Sequence, residues 1–339
     1  MGGSTIFGGC PMSNCFITNN RQYLSSISTF DAVIFHYHDM MEAKELPNPR
    51  NRRSNQRYVM YFLESPLNYK YDYGKFDDFF NWTMTYRLDS DIPFPYGRVV
   101  QKFAQFSYVS NSQEVGSWAL TYDYEKFAAS FNSTRSKEFH ALAHRPMAVA
   151  WIVSNCVTGS HRESYVSELS KYIQVDIYGQ CTKRSCGNYQ DCLEFIEQNY
   201  MFYLAFENSF CEDYVTEKLW QWLRKDIVPV VMGQANYSAI SPPHSVINVM
   251  NYPEPKNLAM YLLKLMENET EYLSYLWWKE FYKVDNNPTF APMCKLCQML
   301  NAEEKLPKMR GRLKEWWSKE GHCMSKRSFP WSKYKSVFT

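Results

Sequence analysis

The residues best equipped for chemistry lie in Phe202-Tyr-Leu-Ala-Phe-Glu-Asn-Ser-Phe-Cys-Glu-Asp-Tyr-Val-Thr-Glu-Lys-Leu219. An apolar run ends there in acidic and amide side chains. Thr216, Glu217 and Lys218 then open what the pattern predicts to be a helix. Side chains at a strand tip converge with those of the next helix's first turn, and free N–H groups at a helix start attract anions. A lysine at that point suits a phosphate. The plainer reading is a capped helix with solvated charges. His36 and His38 flank Tyr37 after a strand-like run and would share a face, but no third Cys, Asp or His follows at metal-like spacing, so packing is expected. Cys294-Lys-Leu-Cys297 has three readings: a redox motif, half a zinc site, or disulfides. The motif follows Pro292 near the chain's end instead of opening a βαβ helix, and Cys10 and Cys15 have the wrong spacing for a standard zinc knuckle.

These residues need elements to hold them. Asp31–His36 and Tyr58–Leu63 are short apolar runs of the kind that become buried strands. Between them Pro47, Pro49, Arg50, Arg52 and Arg53 break any period, which predicts a loop. Met147–Val153 reads as a strand after Pro146, Glu163–Tyr172 as a helix, and Gln174–Tyr178 as a strand stopped at Gly179. The order then repeats with Met201–Phe206 as strand, Tyr214–Arg224 as helix and Ile227–Met232 as strand. Alternation of this kind argues for a parallel sheet covered by helices, with ligands beyond the strands' carboxyl ends. From Pro255 the pattern is helical again, with Leu258, Leu262, Leu265 and Met266 in 3–4 spacing. The predicted division is a first lobe over 1–145, a second over 146–290 and a C-terminal tail over 291–339.

The chain has 339 residues, enough for two lobes, and a net charge of +2 from 37 basic and 35 acidic residues. That near-neutral balance argues against a nucleic-acid partner. Aromatic residues make up 17% (10 Trp, 26 Tyr, 22 Phe), which suits a bulky core or flat faces for sugar rings. Ten cysteines stand beside four sequons, at Asn81, Asn132, Asn236 and Asn268, and together these favour an oxidising secretory compartment. No apolar run approaches the ~18 residues needed to span a bilayer, and no signal peptide opens the chain. The expectation is a chain trimmed from a longer precursor.

The 202–219 segment resembles the signature of the α1,3-fucosyltransferases, glycosyltransferase family ten. So, in order, do Ala32-Val-Ile-Phe-His36, Leu63-Glu-Ser-Pro66, Phe80-Asn-Trp-Thr-Met-Thr-Tyr-Arg87, Ser90-Asp-Ile92, Pro95-Tyr-Gly97, Val149-Ala-Trp-Ile-Val-Ser-Asn155, Val175-Asp-Ile-Tyr-Gly179, Val228-Pro-Val-Val231, Tyr272-Leu-Ser-Tyr275 and Cys294-Lys-Leu-Cys297. The resemblance implies an α/β fold of two Rossmann-like lobes facing each other across a cleft (GT-B type), with the first lobe holding the acceptor and the second GDP-fucose. It implies inverting transfer of fucose in α1,3 linkage to a GlcNAc of glycoprotein N-glycans. The Cys181, Cys186, Cys192 and Cys211 set resembles invertebrate and plant enzymes acting on the innermost core GlcNAc. Alternatives are LacNAc antennae, protein O-fucosylation, or a glycan-binding relative without catalysis.

By the same resemblance Glu64 is the base that takes the acceptor's proton, and Pro66 stops its segment from continuing regularly. Arg162 and Lys218 would meet the leaving diphosphate, one as a fork and one as a point charge. Glu217 would meet the ribose hydroxyls. Tyr203, Asn208 and Tyr214 would line the pocket for base, ribose and fucose, and Ser154 would touch phosphate. No cofactor is implied beyond the donor, with a divalent ion such as manganese at most stimulatory. Asp89-Ser-Asp91, a spacing that holds divalent ions in other transferases, is expected to be structural here. Cys10 and Cys15 would pair with Cys294 and Cys297, in unspecified order. Partners would be GDP-fucose and a glycoprotein N-glycan, with no nucleic acid and with a membrane only through an N-terminal anchor missing from this chain. The location implied is the Golgi lumen, from a single-pass type II precursor.

Overall fold

The structure, a computed structural model, describes residues 5–36, 39–40, 46–68, 72–102, 141–302, 311–324, 330–333 and 335–338. His38 and the Asn132 sequon lie outside them. The chain forms two units, the first built from 5–96 with 286–323, the second from 97–102 and 141–285 with the chain from 324 onward.

In the first unit four strands, β1 (Ala32–His36), β2 (Arg57–Phe62), β3 (Trp82–Thr85) and β4 (Ile92–Pro93), form a parallel sheet in sequential order. The described crossovers are loops and short 3-10 turns at Pro49–Asn51 and Tyr73–Phe76. β2 is central and buried on both faces, as its almost continuous apolar run requires. Val59 packs with Trp82, Met84, Ile92 and Leu296, the last from a helix at Phe290–Leu300. On the other face Phe62 meets Trp317 at 5.3 Å between ring centroids. Disulfides Cys10–Cys294 and Cys15–Cys297 tie the late helix to the N-terminal segment.

The second unit carries a small antiparallel pair, β5 (Val99–Gln101) with β11 (Tyr282–Val284), and a five-stranded parallel sheet. That sheet comprises β6 (Met147–Ile152), β7 (Val175–Tyr178), β8 (Tyr200–Phe206), β9 (Val228–Met232) and β10 (Ile247–Asn248) in the order β10-β9-β8-β6-β7. Counted from its own first strand this is the doubly wound order 2-1-3-4-5, whose direction reverses between β6 and β8. Three helices follow successive strands: α1 (Arg162–Leu169) after β6, α2 (Tyr189–Asn199) after β7 and α3 (Glu217–Leu223) after β8. Right-handed crossovers place α2 and α3 on one face and α1 on the other. Consistent with this, Lys225 Nζ just past α3 meets Glu197 Oε2 of α2 at 2.6 Å. On α1's face Val166 and Leu169 join Leu258, Leu262 and Leu265 of α4 (Pro255–Glu267) in the main core.

Three expectations need correction. The chain passes from the first unit into the second after Tyr96, before the division expected near 145, because β5 pairs with β11 of the second unit. The tail divides as well: residues to Cys323 belong to the first unit, but from Met324 onward they pack on the second, where Trp331 Nε1 donates to the Ser160 carbonyl at 2.9 Å. Asn81 is 2% exposed, and its side-chain oxygen accepts from the Tyr58 N–H at 2.8 Å and from Arg52 at 3.0 Å. Burial forbids a glycan there, while Asn236 and Asn268 are exposed. Peptide mapping of the folded protein expressed through a secretory pathway is expected to find Asn81 unmodified; a glycan on Asn81 would contradict this packing.

Candidate functional site

Chain leaving β6, β7 and β8 emerges on one rim of the second unit's sheet, and each following helix begins there. The best-ordered chemistry sits at the switch point between β6 and β8. Arg162, first residue of α1, is 3% exposed. Its Nη1 donates to the Phe206 carbonyl at the end of β8 at 2.7 Å, and its Nη2 donates to the Asn155 carbonyl beyond β6 at 3.3 Å. Its guanidinium lies over Trp151 at 5.5 Å, and its Nε has no hydrogen-bond partner among the described residues. A buried guanidinium N–H without an acceptor is costly, and an anionic oxygen satisfies it well. Burial draws the guanidinium down from its ordinary value, opposed by Glu207 and Glu163.

The loop from β6 to α1 is knitted to the exit of β8. Ser160 donates its N–H to the Asn208 carbonyl at 3.1 Å and its hydroxyl to the Glu207 carbonyl at 2.7 Å. Thr158 donates N–H and hydroxyl to Glu163 at 3.1 and 2.9 Å. His161, before α1, is left-handed with φ 53°. A disulfide between Cys156 and Cys181 fastens the same loop to the segment after β7.

Lys218, in the first turn of α3, has a side chain 23% exposed. Its Nζ lies 2.7 Å from Thr216 Oγ1, 3.0 Å from Glu217 Oε1 and 3.4 Å from Glu207 Oε2. Glu207 is 1% exposed and accepts the Thr216 N–H at 2.8 Å and the Thr216 hydroxyl at 2.9 Å. Burial alone pulls the Lys218 ammonium down, but Glu207 and Glu217 outweigh it and hold it above its ordinary value. Glu217 is 58% exposed, so it can leave the ammonium at little cost when another anion arrives. The expected helix over Tyr214–Arg224 starts only at Glu217, because Thr216 caps it.

Glu207 is the residue that reading the sequence missed. Its signal was available: it is the first acid after seven consecutive buried residues, where a carboxylate must find partners. Ser154 is exposed just beyond β6, and Asn208 is half-buried. Tyr214 is fully buried, near enough to Arg162 to act on its charge. Tyr203 does not line open space: it is 4% exposed, its ring stacks on Trp222 at 3.8 Å, and its hydroxyl accepts the Ile152 N–H at 3.3 Å. As a middle residue of a central strand it faces the covering helix, which the sequence alone did not reveal.

In the first unit Glu64 lies just beyond β2, half-buried, and accepts from Asn68 Nδ2 at 2.6 Å. Ser65 is fully buried, and Tyr96 donates its hydroxyl to the Leu63 carbonyl at 2.9 Å, so the segment is anchored on both sides of the carboxylate. Asp89 and Asp91 have other duties. Asp89 takes a bidentate pair from Arg87 at 2.8 and 2.7 Å together with Trp316 Nε1 at 2.8 Å, and Asp91 accepts the Thr83 N–H and hydroxyl, each at 2.9 Å. Among the described residues no group of three or more His, Cys, Asp or Glu could hold a metal ion.

Residues 142–316 match the family model for the glycosyltransferase family 10 (fucosyltransferase) C-terminal region, and residues 3–97 match the fucosyltransferase N-terminal model. Alpha-(1,3)-fucosyltransferase C of Drosophila melanogaster is 35% identical over 293 residues, 86% of this chain and 66% of that protein. Glycoprotein 3-alpha-L-fucosyltransferase A of the same fly is 34% identical over 336 residues, 96% of this chain and 58% of that protein. The chain thus spans about three fifths to two thirds of these relatives' length. A crystal structure of an alpha1,3-fucosyltransferase with GDP-fucose aligns with a TM-score of 0.45 and 19% identity, covering 73% of this chain and 68% of that one.

Proposed function

Since the chain belongs to glycosyltransferase family 10, the fucosyltransferases, we propose that it moves fucose from GDP-fucose in α1,3 linkage to a GlcNAc of glycoprotein N-glycans, the innermost core GlcNAc being the acceptor. The observation that carries the reading is the pair of cations at the switch point. Arg162 has an unsatisfied buried N–H, and Lys218 has a partner that can swing away. A diphosphate supplies the missing acceptors, and Glu217, once released, is placed for a vicinal diol such as ribose. Ser154 and Asn208 border the same rim, and Tyr214 supports Arg162 from within.

Transfer with inversion is a single displacement. The acceptor oxygen forms a bond to the anomeric carbon as the bond to the diphosphate breaks. Glu64 accepts the hydroxyl proton, and the electron pair leaves with GDP, whose added charge Arg162 and Lys218 stabilise. The relatives' names support α1,3 transfer and a glycoprotein acceptor. The resemblance of Cys181, Cys186, Cys192 and Cys211 to the cysteine set of core-acting enzymes supports the core-type reading. All ten cysteines are disulfide-bonded, which suits an oxidising secretory compartment such as the Golgi lumen. No helix among the described residues is long and apolar enough to cross a membrane.

The test is incubation with GDP-fucose and defined core and antennary glycopeptides, followed by linkage analysis of the product. Fucose α1,3-linked to the innermost GlcNAc is expected; exclusive antennary product overturns the acceptor, and no transfer overturns the activity. With two protein cations on the leaving group, appreciable transfer is expected to persist in excess EDTA. Complete loss restored by manganese would give that role to a metal.

A further inference from the structure

We infer that Tyr189 is the stacking platform for the nucleotide's base, an inference that rests on the donor site proposed above. Four observations converge on it. α2 follows β7 as α3 follows β8, so both helices begin on the rim that carries Arg162 and Lys218. Tyr189 is the first residue of α2 and is 62% exposed, the most exposed large aromatic among the described residues. Its hydroxyl donates to Gln221 Oε1 on α3 at 2.6 Å. Gln221 stands three residues after Lys218 and four after Glu217, and side chains at those spacings are neighbours on a helix surface. Diphosphate at Lys218, ribose at Glu217 and base at Tyr189 therefore form one continuous path, in the order in which a nucleoside diphosphate presents its parts.

The ring is also held still. Cys186 and Cys192 are disulfide-bonded across it, Gly187 takes φ 109°, and Asn188 caps α2 by accepting the Asp191 N–H at 3.1 Å. An exposed aromatic fixed at both its backbone and its hydroxyl loses little entropy when a flat partner settles on it. A purine is such a partner, since every base offers a flat π-face that stacks on an aromatic ring.

Calorimetric titration of wild type, Tyr189→Ala and Tyr189→Phe with GDP and with inorganic diphosphate tests the assignment. Tyr189→Ala is expected to weaken GDP about tenfold while diphosphate affinity stays within twofold, and Tyr189→Phe, which keeps the ring, is expected to stay close to wild type for both. Equal GDP affinity in wild type and Tyr189→Ala overturns the platform and leaves the donor site standing. Parallel loss of GDP and diphosphate in Tyr189→Ala also overturns it, since that reports damage to the phosphate site. Absence of GDP binding by the wild-type protein overturns the donor site and this inference with it.

Discussion

Glu64→Gln is expected to lower turnover by about 10²–10⁴-fold, the usual contribution of a positioned base, while GDP affinity stays at the wild-type level. The substitution changes charge and basicity but almost nothing in shape. A glutamine oxygen can still accept from Asn68 Nδ2, now 2.6 Å from the carboxylate, and Tyr96 still holds the Leu63 carbonyl. Stability should therefore move little, and steady-state kinetics beside a GDP titration separates the chemical step from donor binding. Near wild-type turnover refutes the assigned role.

Breaking both Cys10–Cys294 and Cys15–Cys297 is expected to cost far more than twice the loss of either one. The links close loops of 284 and 282 residues, so the first to form removes about 5 kcal/mol of chain entropy from the unfolded state. Once one exists, the other closes only the few residues between the paired positions and adds about 2 kcal/mol. Urea unfolding of each Cys→Ala pair and of the quadruple variant measures this directly. Single-pair variants should lose about 2 kcal/mol, and the second removal should cost the larger share, a coupling expected for linked sites. Equal and additive losses would contradict it. Cys294 and Cys297 are almost fully buried, so alanine is preferred to serine, whose hydroxyl would need a partner in the core.

The second unit was largely legible in the sequence. Met147–Ile152, Val175–Tyr178, Tyr200–Phe206 and Val228–Met232 are short apolar runs separated by turn residues and amphipathic stretches, and the predicted strands fall within a residue or two of the observed ones. α2 was missed, although Asn188 is a good cap and Cys192, Leu193 and Ile196 form an apolar face. β3 and β4 were missed because Thr83, Thr85 and Asn81 are polar, and their burial depends on partners distant in sequence, such as Arg52, Tyr58 and Asp91. Such partners leave no periodic trace.

Within the site, residue types disclosed the cations and not their setting. Lys218 was singled out from its place at a predicted helix start, but the buried carboxylate of Glu207 beneath it was not. Tyr203 looked like a pocket residue because it stands in the signature, whereas strand alternation turns it onto Trp222. Composition suggested an oxidising compartment, and the pairings Cys156–Cys181 and Cys186–Cys192 add that the rim itself is stapled. The consequence is a rim whose loops are braced before any ligand arrives, which would lower the ordering cost of binding at the proposed donor site.

Titration of GDP into wild type, Lys218→Ala and Glu64→Gln by calorimetry, with thermal melts confirming that all three are folded, tests the division of labour most directly. Lys218→Ala should bind GDP about 10–100-fold more weakly, the worth of a charge-assisted contact, and Glu64→Gln should bind it as wild type does. Unchanged affinity in Lys218→Ala, or equal weakening in Glu64→Gln, would contradict the assignment of nucleotide and acceptor proton to these two residues.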